Sequence, residues 1–168
     1  TPKEIESKMG GRVVRGGKSL TTDAGTRVPL IARWEGTARA GLVTDELVDS
    51  TDFLPTIAEA AGVRLPPSPV VDGVSFLPQL RGSRERRREW IYSHYDPRPG
   101  WDKKQYRLTR SVRNQRFKLY DDGRLYDVAA DPLEQKPLGP AAAAGIRRRF
   151  QAVLKKGSDA FSGPLNGR

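Results

Sequence analysis

The second half of the sequence is divided into short segments of β type, and their spacing limits the architectures open to the chain. The segments are WIYSHY (90–95), RLTRSVR (107–113), RFKLY (116–120) and RLYDV (124–128). Turn-forming residues, Asn114-Gln115 and Asp121-Asp122-Gly123, separate the last three. Short strands joined by such turns pair with their neighbours along the chain. The sequence therefore predicts an antiparallel meander of about four strands.

A helix is predicted to follow the meander. The segment Ala141 to Lys156 is rich in Ala at its start and in Lys and Arg at its end, where cations interact favourably with the helix dipole. Residues 157–168 are predicted to form a flexible tail. The polar, glycine-containing residues 1–15 are predicted to form a loop or a frayed end.

The first half predicts one strand and one helix of an α/β layer. Val28 to Trp34 (VPLIARW) is a nearly continuous apolar run, which is typical of a strand buried on both faces. The segment SFLPQL (75–80) predicts a brief helical turn, after a proline-rich connector at 65–73. The run RGSRERRRE (81–89) is predicted to be charged and exposed.

The main helix of this half is predicted over Ser50 to Gly62. Ser50, Thr51 or Asp52 can cap its start, and Gly62 lies where a C-terminal cap belongs. Phe53, Ile57 and Ala61 fall on one face, and we expect that face to cover the sheet.

Composition excludes several classes of protein. The chain has 168 residues, enough for one domain with a real core. It contains no cysteine, so these residues supply no disulfide, no thiolate zinc ligand and no cysteine nucleophile. No apolar run is long enough to span a membrane, and the first residues do not form a signal peptide. Because the chain does not begin with Met, we expect a fragment or a processed chain.

The net charge of +10 has three interpretations. Lys and Arg residues can form a solvated surface, concentrate an anionic substrate, or bind nucleic acid through counterion release. We favour the solvated surface first and anion attraction ahead of nucleic acid.

Lys18 is the first candidate for chemistry. It follows Gly16-Gly17, and glycines let the backbone approach an anion closely. Its ammonium can then neutralise an anionic oxygen. From the residues alone, we favour an exposed loop lysine over this role. A phosphate-binding P-loop is disfavoured, because that motif needs glycine where Arg12 stands. In the following turn, Asp23 and Arg27 are expected to form an ion pair.

A second candidate group follows the first strand of the meander. His94, the single histidine, precedes a proline-rich loop that contains Arg98 and Trp101. Arg98 suits a carboxylate or a sulfate, and Trp101 can stack on a sugar ring. These three residues are candidate substrate-binding residues, although for His94 we favour a structural surface histidine. No metal site is predicted, since one histidine cannot build one and no carboxylates show ligand spacing.

Four segments in this order resemble the C-terminal part of a sulfatase, in the alkaline-phosphatase-like superfamily of sulfate and phosphate ester hydrolases. They are GGKSLTTDAGTRVPLIARW (16–34), TDFLPTIAEAAG (51–62), DGVSFLPQL (72–80) and RLYDVAADPLE (124–134). The family usually has GGKG-x-x-YEGG-x-RVP at the lysine, so Ser19, Asp23 and Ala24 are departures. The resemblance covers roughly Gly16 to Leu138.

The resemblance implies an α/β fold: the end of an alkaline-phosphatase-like sandwich, as strand plus helix, followed by a small four-stranded antiparallel sheet with a packing helix. The implied domains are 1–80 for the end of the α/β domain, 81–156 for the antiparallel subdomain and 157–168 for the tail.

The resemblance also implies a sulfuric ester hydrolase. Its nucleophile would be a formylglycine and its cofactor calcium, both held by residues upstream of this chain, so the chain alone should be inactive. Lys18 would contact the sulfuryl group of a sulfated small molecule or carbohydrate. Sulfatases are commonly exported to the periplasm, the extracellular space or the lysosome. Two alternatives remain: a non-catalytic basic module that binds polyanions or nucleic acid, and a phosphodiesterase or phosphonate hydrolase of the same superfamily.

Overall fold

The computed structural model describes residues 5–9, 11–15, 17, 20–67, 70–96 and 107–161. It divides the chain into two compact units. We call them the sheet unit, which contains residues 1–28 and 92–168, and the helical unit, which contains residues 29–91. The domain limits of 1–80, 81–156 and 157–168, which concern the parts of a larger fold, stay a prediction.

The predicted meander is confirmed. Its strands are β3 (Ile91–Tyr95), β4 (Thr109–Arg113), β5 (Phe117–Tyr120) and β6 (Leu125–Asp127), and they neighbour one another in that order. The pairs β4–β5 and β5–β6 are antiparallel. Asn114 closes one predicted turn, since its side-chain oxygen accepts the backbone N–H of Phe117 at 2.7 Å. Gly123 closes the other with a φ of 88°, which favours glycine.

The two faces of this sheet differ in chemistry. Strand register pairs Val112 with Leu119, and Leu119 with Leu125, so these three fully buried side chains share one face. Helix α4 (Ala144–Phe161) packs on β4 and β5, and its residues Phe150 and Leu154 are buried. The opposite face carries polar side chains, among them Lys118, which lies opposite Arg113.

Both ends of the chain depart from prediction. Residues 1–15 were expected to be a loop, but β1 (Glu6–Met9) and β2 (Arg12–Arg15) form an antiparallel hairpin that turns at Gly11, where φ is 79°. Paired backbone groups stabilise this polar segment without an apolar pattern, which explains the wrong prediction. The α4 helix is confirmed but continues to Phe161, so the tail prediction is wrong for 157–161 and lies outside the described residues for 162–168.

The helical unit confirms the main predicted helix and corrects its cap. A 3₁₀ turn (Ser50–Asp52) leads into α2 (Phe53–Ala60), and Gly62 follows with a φ of 67°. The cap is Asp49, one residue before the predicted candidates: its side chain accepts the backbone N–H of Thr51, while the Asp52 carboxylate accepts the N–H of Asp49. This reciprocal pair is a capping box. The predicted turn at 75–80 is confirmed as α3 (Leu77–Leu80).

Arg88 corrects the prediction for the charged run 81–89. It was expected to be exposed, but it forms an ion pair with Asp52, whose carboxylate also accepts the N–H of Val74 at 2.7 Å. Asp52 is only 1% exposed and needs this partner, because a buried charge is costly unless it is paired.

Two further predictions for the helical unit are wrong in the described residues. The run Val28–Trp34 is not a strand, and Ile31 is 90% exposed. The α2 face expected to cover a sheet is exposed as well, with Ile57 at 64%. A strand buried on both faces needs neighbouring strands and covering layers, and the residues described in 29–91 supply no strand next to this run.

Candidate functional site

A short turn follows Lys18 in the sequence and forms the centre of the candidate site. It contains α1 (Asp23–Thr26), whose start is marked by the N–H of Gly25 and the N–H of Thr26 donating to the Thr22 carbonyl. The N–H of Leu20 donates to the Gly17 carbonyl at 2.8 Å. We call residues 20–26 the lysine-flanking turn. Backbone hydrogen bonds thus give the turn a definite shape.

Two glycines let the backbone close tightly on itself at this turn. A Cβ on Gly17 would lie 2.1 Å from the carbonyl carbon of Ala24, and a Cβ on Gly25 would lie 2.1 Å from the Leu20 carbonyl oxygen. Both distances are far below van der Waals contact with backbone that cannot move aside. Any side chain at either position would therefore push Gly17 away from the lysine-flanking turn.

The polar face of the sheet reaches this turn through three side chains. Lys118 donates from Nζ to the Thr21 carbonyl at 2.6 Å, and the Tyr120 hydroxyl donates to the same carbonyl at 3.1 Å. Arg113 donates to Asp23 Oδ1 at 2.7 Å. Two strands therefore hold both the backbone and a side chain of the lysine-flanking turn.

Glu134 completes the arrangement from the loop after β6. Its Oε1 accepts the backbone N–H of Asp23 at 2.8 Å and Lys118 Nζ at 2.9 Å. Its Oε2 accepts the hydroxyl of Tyr120. One carboxylate thus joins the sheet to the lysine-flanking turn, 111 residues away in sequence.

The backbone of Glu134 is itself unusual. Its φ is 53°, in the left-handed region that residues with a side chain seldom adopt. This conformation costs about 1–2 kcal/mol relative to the ordinary one, so the surrounding contacts must hold it.

The charges of the cluster balance in a nearly dry environment. Lys118 and Arg113 carry two positive charges, and Asp23 and Glu134 carry two negative ones. The side chains of Lys118 and Glu134 are 2% and 1% exposed. Burial, and then the hydrogen bond and negative charge of Glu134, raise the pKa of Tyr120 well above its ordinary value. Tyr120 therefore stays a neutral hydrogen-bond donor. We call Asp23, Arg113, Lys118, Tyr120 and Glu134 the anchor cluster.

The structure places only one of the sequence-predicted site residues. Lys18, Arg98 and Trp101 lie outside the described residues. His94 lies on β3 and is half-buried. The roles predicted for these four residues stay predictions.

The expected ion pair between Asp23 and Arg27 is wrong. In the described residues Asp23 pairs with Arg113 and lies 3.5 Å from Lys118 Nζ, while Arg27 is exposed and contributes only its backbone N–H to the Asp23 carbonyl. Sequence proximity favoured Arg27, but Asp23 is 5% exposed and its partners come from the sheet.

Lys118 and Glu134 were missed as candidates. A lysine inside a β segment normally points to solvent, and nothing local marks this one as buried. The available signal was Glu134, because it ends the RLYDVAADPLE segment that carries the resemblance.

The described residues do not fit a calcium site. No group of three Asp, Glu or His side chains among them is arranged to hold a metal ion. Both carboxylate oxygens of Glu134 are bound by Lys118 and Tyr120, and Asp23 is bound through Oδ1 by Arg113, which leaves only the buried Asp23 Oδ2 without a hydrogen-bond partner in this cluster. In the described parts of the chain, no helix is long and apolar enough to cross a membrane.

Comparison with known proteins gives the family. The family model described as "N-sulphoglucosamine sulphohydrolase, C-terminal" matches residues 17–157, which include the lysine-flanking turn, the sheet and most of α4. This match covers most of the chain and includes every member of the anchor cluster.

Individual proteins similar to this chain are also sulfatases. Human steryl-sulfatase is 29% identical over 181 residues, covering 90% of this chain and 30% of that protein. Bovine arylsulfatase A is 34% identical over 136 residues, covering 78% of this chain and 25% of that protein. Mouse steryl-sulfatase is 39% identical over 90 residues, covering 52% of this chain and 14% of that protein. The chain thus spans less than a third of the length of these relatives.

A solved structure supports the same conclusion. The protein BT4656, in complex with its substrate D-glucosamine-2-N,6-O-disulfate, superposes with a TM-score of 0.52 at 26% identity, covering 70% of this chain and 25% of that one. Its matched portion supports the predicted fold class, in which a four-stranded antiparallel sheet accompanies the end of an alkaline-phosphatase-like α/β fold. The chain belongs to the sulfatase family and corresponds to the C-terminal region of its members.

Proposed function

We propose that this chain is the C-terminal part of an enzyme that hydrolyses sulfate esters, and that Lys18 contributes its ammonium to the sulfuryl group. The observation that carries the proposal is the match to the sulfatase C-terminal model from Gly17 onward, together with a lysine-flanking turn held by buried charges. Functional side chains need a rigid support, and a turn held by several hydrogen bonds provides such a support next to Lys18 in the sequence.

The role of Lys18 follows from charge. A sulfuryl group carries negative charge on its oxygens, and an ammonium placed against one of them stabilises the ground state and the transition state. The anchor cluster has no net charge of its own, so it neither cancels nor supplies this positive charge.

Residues outside this chain would supply the rest of the chemistry. In sulfatases, as the resemblance implies, a formylglycine provides the nucleophile and calcium balances the negative charge. The 168 residues contain no cysteine, and the described ones form no calcium site. We therefore assign no reaction step to this chain beyond charge stabilisation by Lys18.

We propose a sulfated carbohydrate as the substrate class. The supporting observation is that BT4656, which resembles this chain, binds a disulfated glucosamine. His94, Arg98 and Trp101 are the residues we propose for contact with the sugar and its sulfate groups. We also propose, from the resemblance, that the intact enzyme is exported.

The test is turnover of sulfate esters by the intact enzyme with Lys18→Ala. We expect kcat/KM to fall at least about tenfold, because removing one charge stabiliser typically costs a few kcal/mol. Lys155→Ala is the matched control, since it removes the same charge from an exposed position on α4. An unchanged rate in Lys18→Ala would overturn the role of Lys18.

The same assay separates the alternatives. Matched sulfate, phosphate and phosphonate esters, supplied to the wild-type enzyme, distinguish a sulfatase from a phosphodiesterase or phosphonate hydrolase. A purified native protein of 18.6 kDa that turns over none of them, and binds DNA or RNA with a steep salt dependence, would instead indicate a polyanion-binding module.

A further inference from the structure

We infer that Glu134 is a positioning residue for the site proposed at Lys18: through the anchor cluster it holds the lysine-flanking turn, which begins two residues after Lys18, on the sheet, and the contribution of Lys18 to turnover depends on that turn. This inference rests on the proposed function of Lys18. It assigns a mechanistic role to the glutamate of the DPLE segment and to Lys118.

The first support is the geometry of the Glu134 carboxylate. Both oxygens are used, and every partner either belongs to the lysine-flanking turn or binds it. Oε1 accepts the N–H of Asp23 and Lys118 Nζ, and Oε2 accepts the hydroxyl of Tyr120. Lys118 and Tyr120 in turn donate to the Thr21 carbonyl, three residues after Lys18. The carboxylate therefore acts on the turn directly and through two side chains.

The second support is the backbone of Glu134. A glycine or asparagine would adopt a φ of 53° more readily than glutamate does. Strained residues of this kind concentrate at functional sites, where their exact placement is needed.

The third support is energetic. A buried ion cluster seldom stabilises a fold more than apolar side chains of similar volume would, because desolvation offsets the attraction. The opposite face of the same sheet is held by Val112, Leu119 and Leu125. Charged side chains add geometric specificity, because each of their hydrogen bonds forms only when the turn lies at the right distance and angle.

A double-mutant cycle in the intact enzyme tests the inference. Glu134→Gln keeps the shape of the side chain and removes its charge. We expect it to lower kcat/KM by about 10- to 100-fold, as loss of a supporting partner around an active group typically does. In the Lys18→Ala background the same substitution should have almost no further effect, because the lysine it positions is absent.

Controls separate positioning from simple damage to the fold. Val112→Ala creates a cavity on the apolar face of the sheet, and the side chains of the anchor cluster lie on the opposite face, so it should lower the unfolding temperature with kcat/KM unchanged. Tyr120→Phe is the milder second variant if Glu134→Gln does not fold. It removes one hydroxyl and should show the same dependence on Lys18 with a smaller effect.

The outcomes are distinct. A loss in Glu134→Gln or Tyr120→Phe that disappears in the Lys18→Ala background supports the inference. A loss of equal size in both backgrounds overturns it and leaves the proposed function of Lys18 intact. No loss in Glu134→Gln also overturns it. Full activity of Lys18→Ala alone overturns both.

Discussion

The sheet unit and the helical unit differ in how far their apolar side chains are buried. In the sheet unit one face of the sheet buries apolar residues against α4, and the other buries the charges of the anchor cluster. In the helical unit, Ile31, Val43 and Ile57 are 90%, 92% and 64% exposed. Its Asp52–Arg88 pair is the counterpart of the anchor cluster.

This difference indicates which contacts stabilise each unit. The sheet unit buries the apolar face of its sheet against α4 and pairs the charges of the anchor cluster with one another, so its own residues supply these contacts. The helical unit has an apolar pattern typical of buried elements, which its described residues leave uncovered. Substitutions at buried positions of the sheet unit should therefore lower the free energy of unfolding strongly, and substitutions at exposed positions of the helical unit should change it little.

The largest effect on stability is expected for Glu134→Ala. It leaves Lys118 buried without its carboxylate and removes the acceptor of Tyr120. Breaking a buried pair typically costs about 3–5 kcal/mol. Urea unfolding of the protein measures this change. A cost below about 1 kcal/mol would mean that the anchor cluster is open to water.

Leucine and isoleucine truncations compare the two units directly. Leu119→Ala, at a fully buried position, should lower the free energy of unfolding by about 2–5 kcal/mol. Ile57→Ala, at an exposed position, should change it by less than about 0.5 kcal/mol. Urea unfolding of both variants gives the comparison, and equal costs would contradict it.

The pH dependence of stability sharpens the description of Tyr120. Its pKa is raised in the folded state, so the folded protein holds the phenol proton more tightly than the unfolded chain does. This contribution is complete below the ordinary tyrosine pKa of about 10 and is lost as the pH rises through the folded value. Tyr120→Phe should therefore make the loss of stability above pH ~10 shallower. Unfolding at pH 9 to 11 checks this, and parallel curves would contradict it.

The smallest effect is expected at an exposed ion pair of the helical unit. Arg33 and Glu35 pair with side chains that are 84% and 79% exposed. Solvent screens such pairs, which contribute between about 0 and 1 kcal/mol. Arg33→Ala should therefore leave the unfolding midpoint in urea nearly unchanged, unlike Glu134→Ala.

Local sequence patterns predicted the four-stranded sheet and α4 of the sheet unit well, although they missed the β1–β2 hairpin. The β segments, the turns at Asn114 and Gly123, and α4 all form where apolar spacing and turn residues indicated. Periodicity works there because each element packs against the next along the chain. The run Val28–Trp34 shows the limit: its pattern indicates burial, but a pattern does not say which residues cover it.

The anchor cluster could not be predicted from local sequence patterns, for a different reason. Lys118 lies within an ordinary β segment, and its partners Thr21 and Glu134 are 97 residues before and 16 residues after it. A buried charge is acceptable only when the fold brings such partners together. Resemblance to a family marked the segments of Lys18 and Glu134 separately, and the structure joins them.

Hydrogen exchange at the backbone amide of Asp23 tests the central claim most directly, namely that Glu134 holds the lysine-flanking turn on the sheet. The amide donates to Glu134 Oε1, so it should exchange slowly in the wild-type protein and much faster in Glu134→Ala. The amide of Val112, on β4, should keep its protection in a variant that remains folded. Fast exchange at Asp23 in the wild type, or protection that survives Glu134→Ala, would contradict the account.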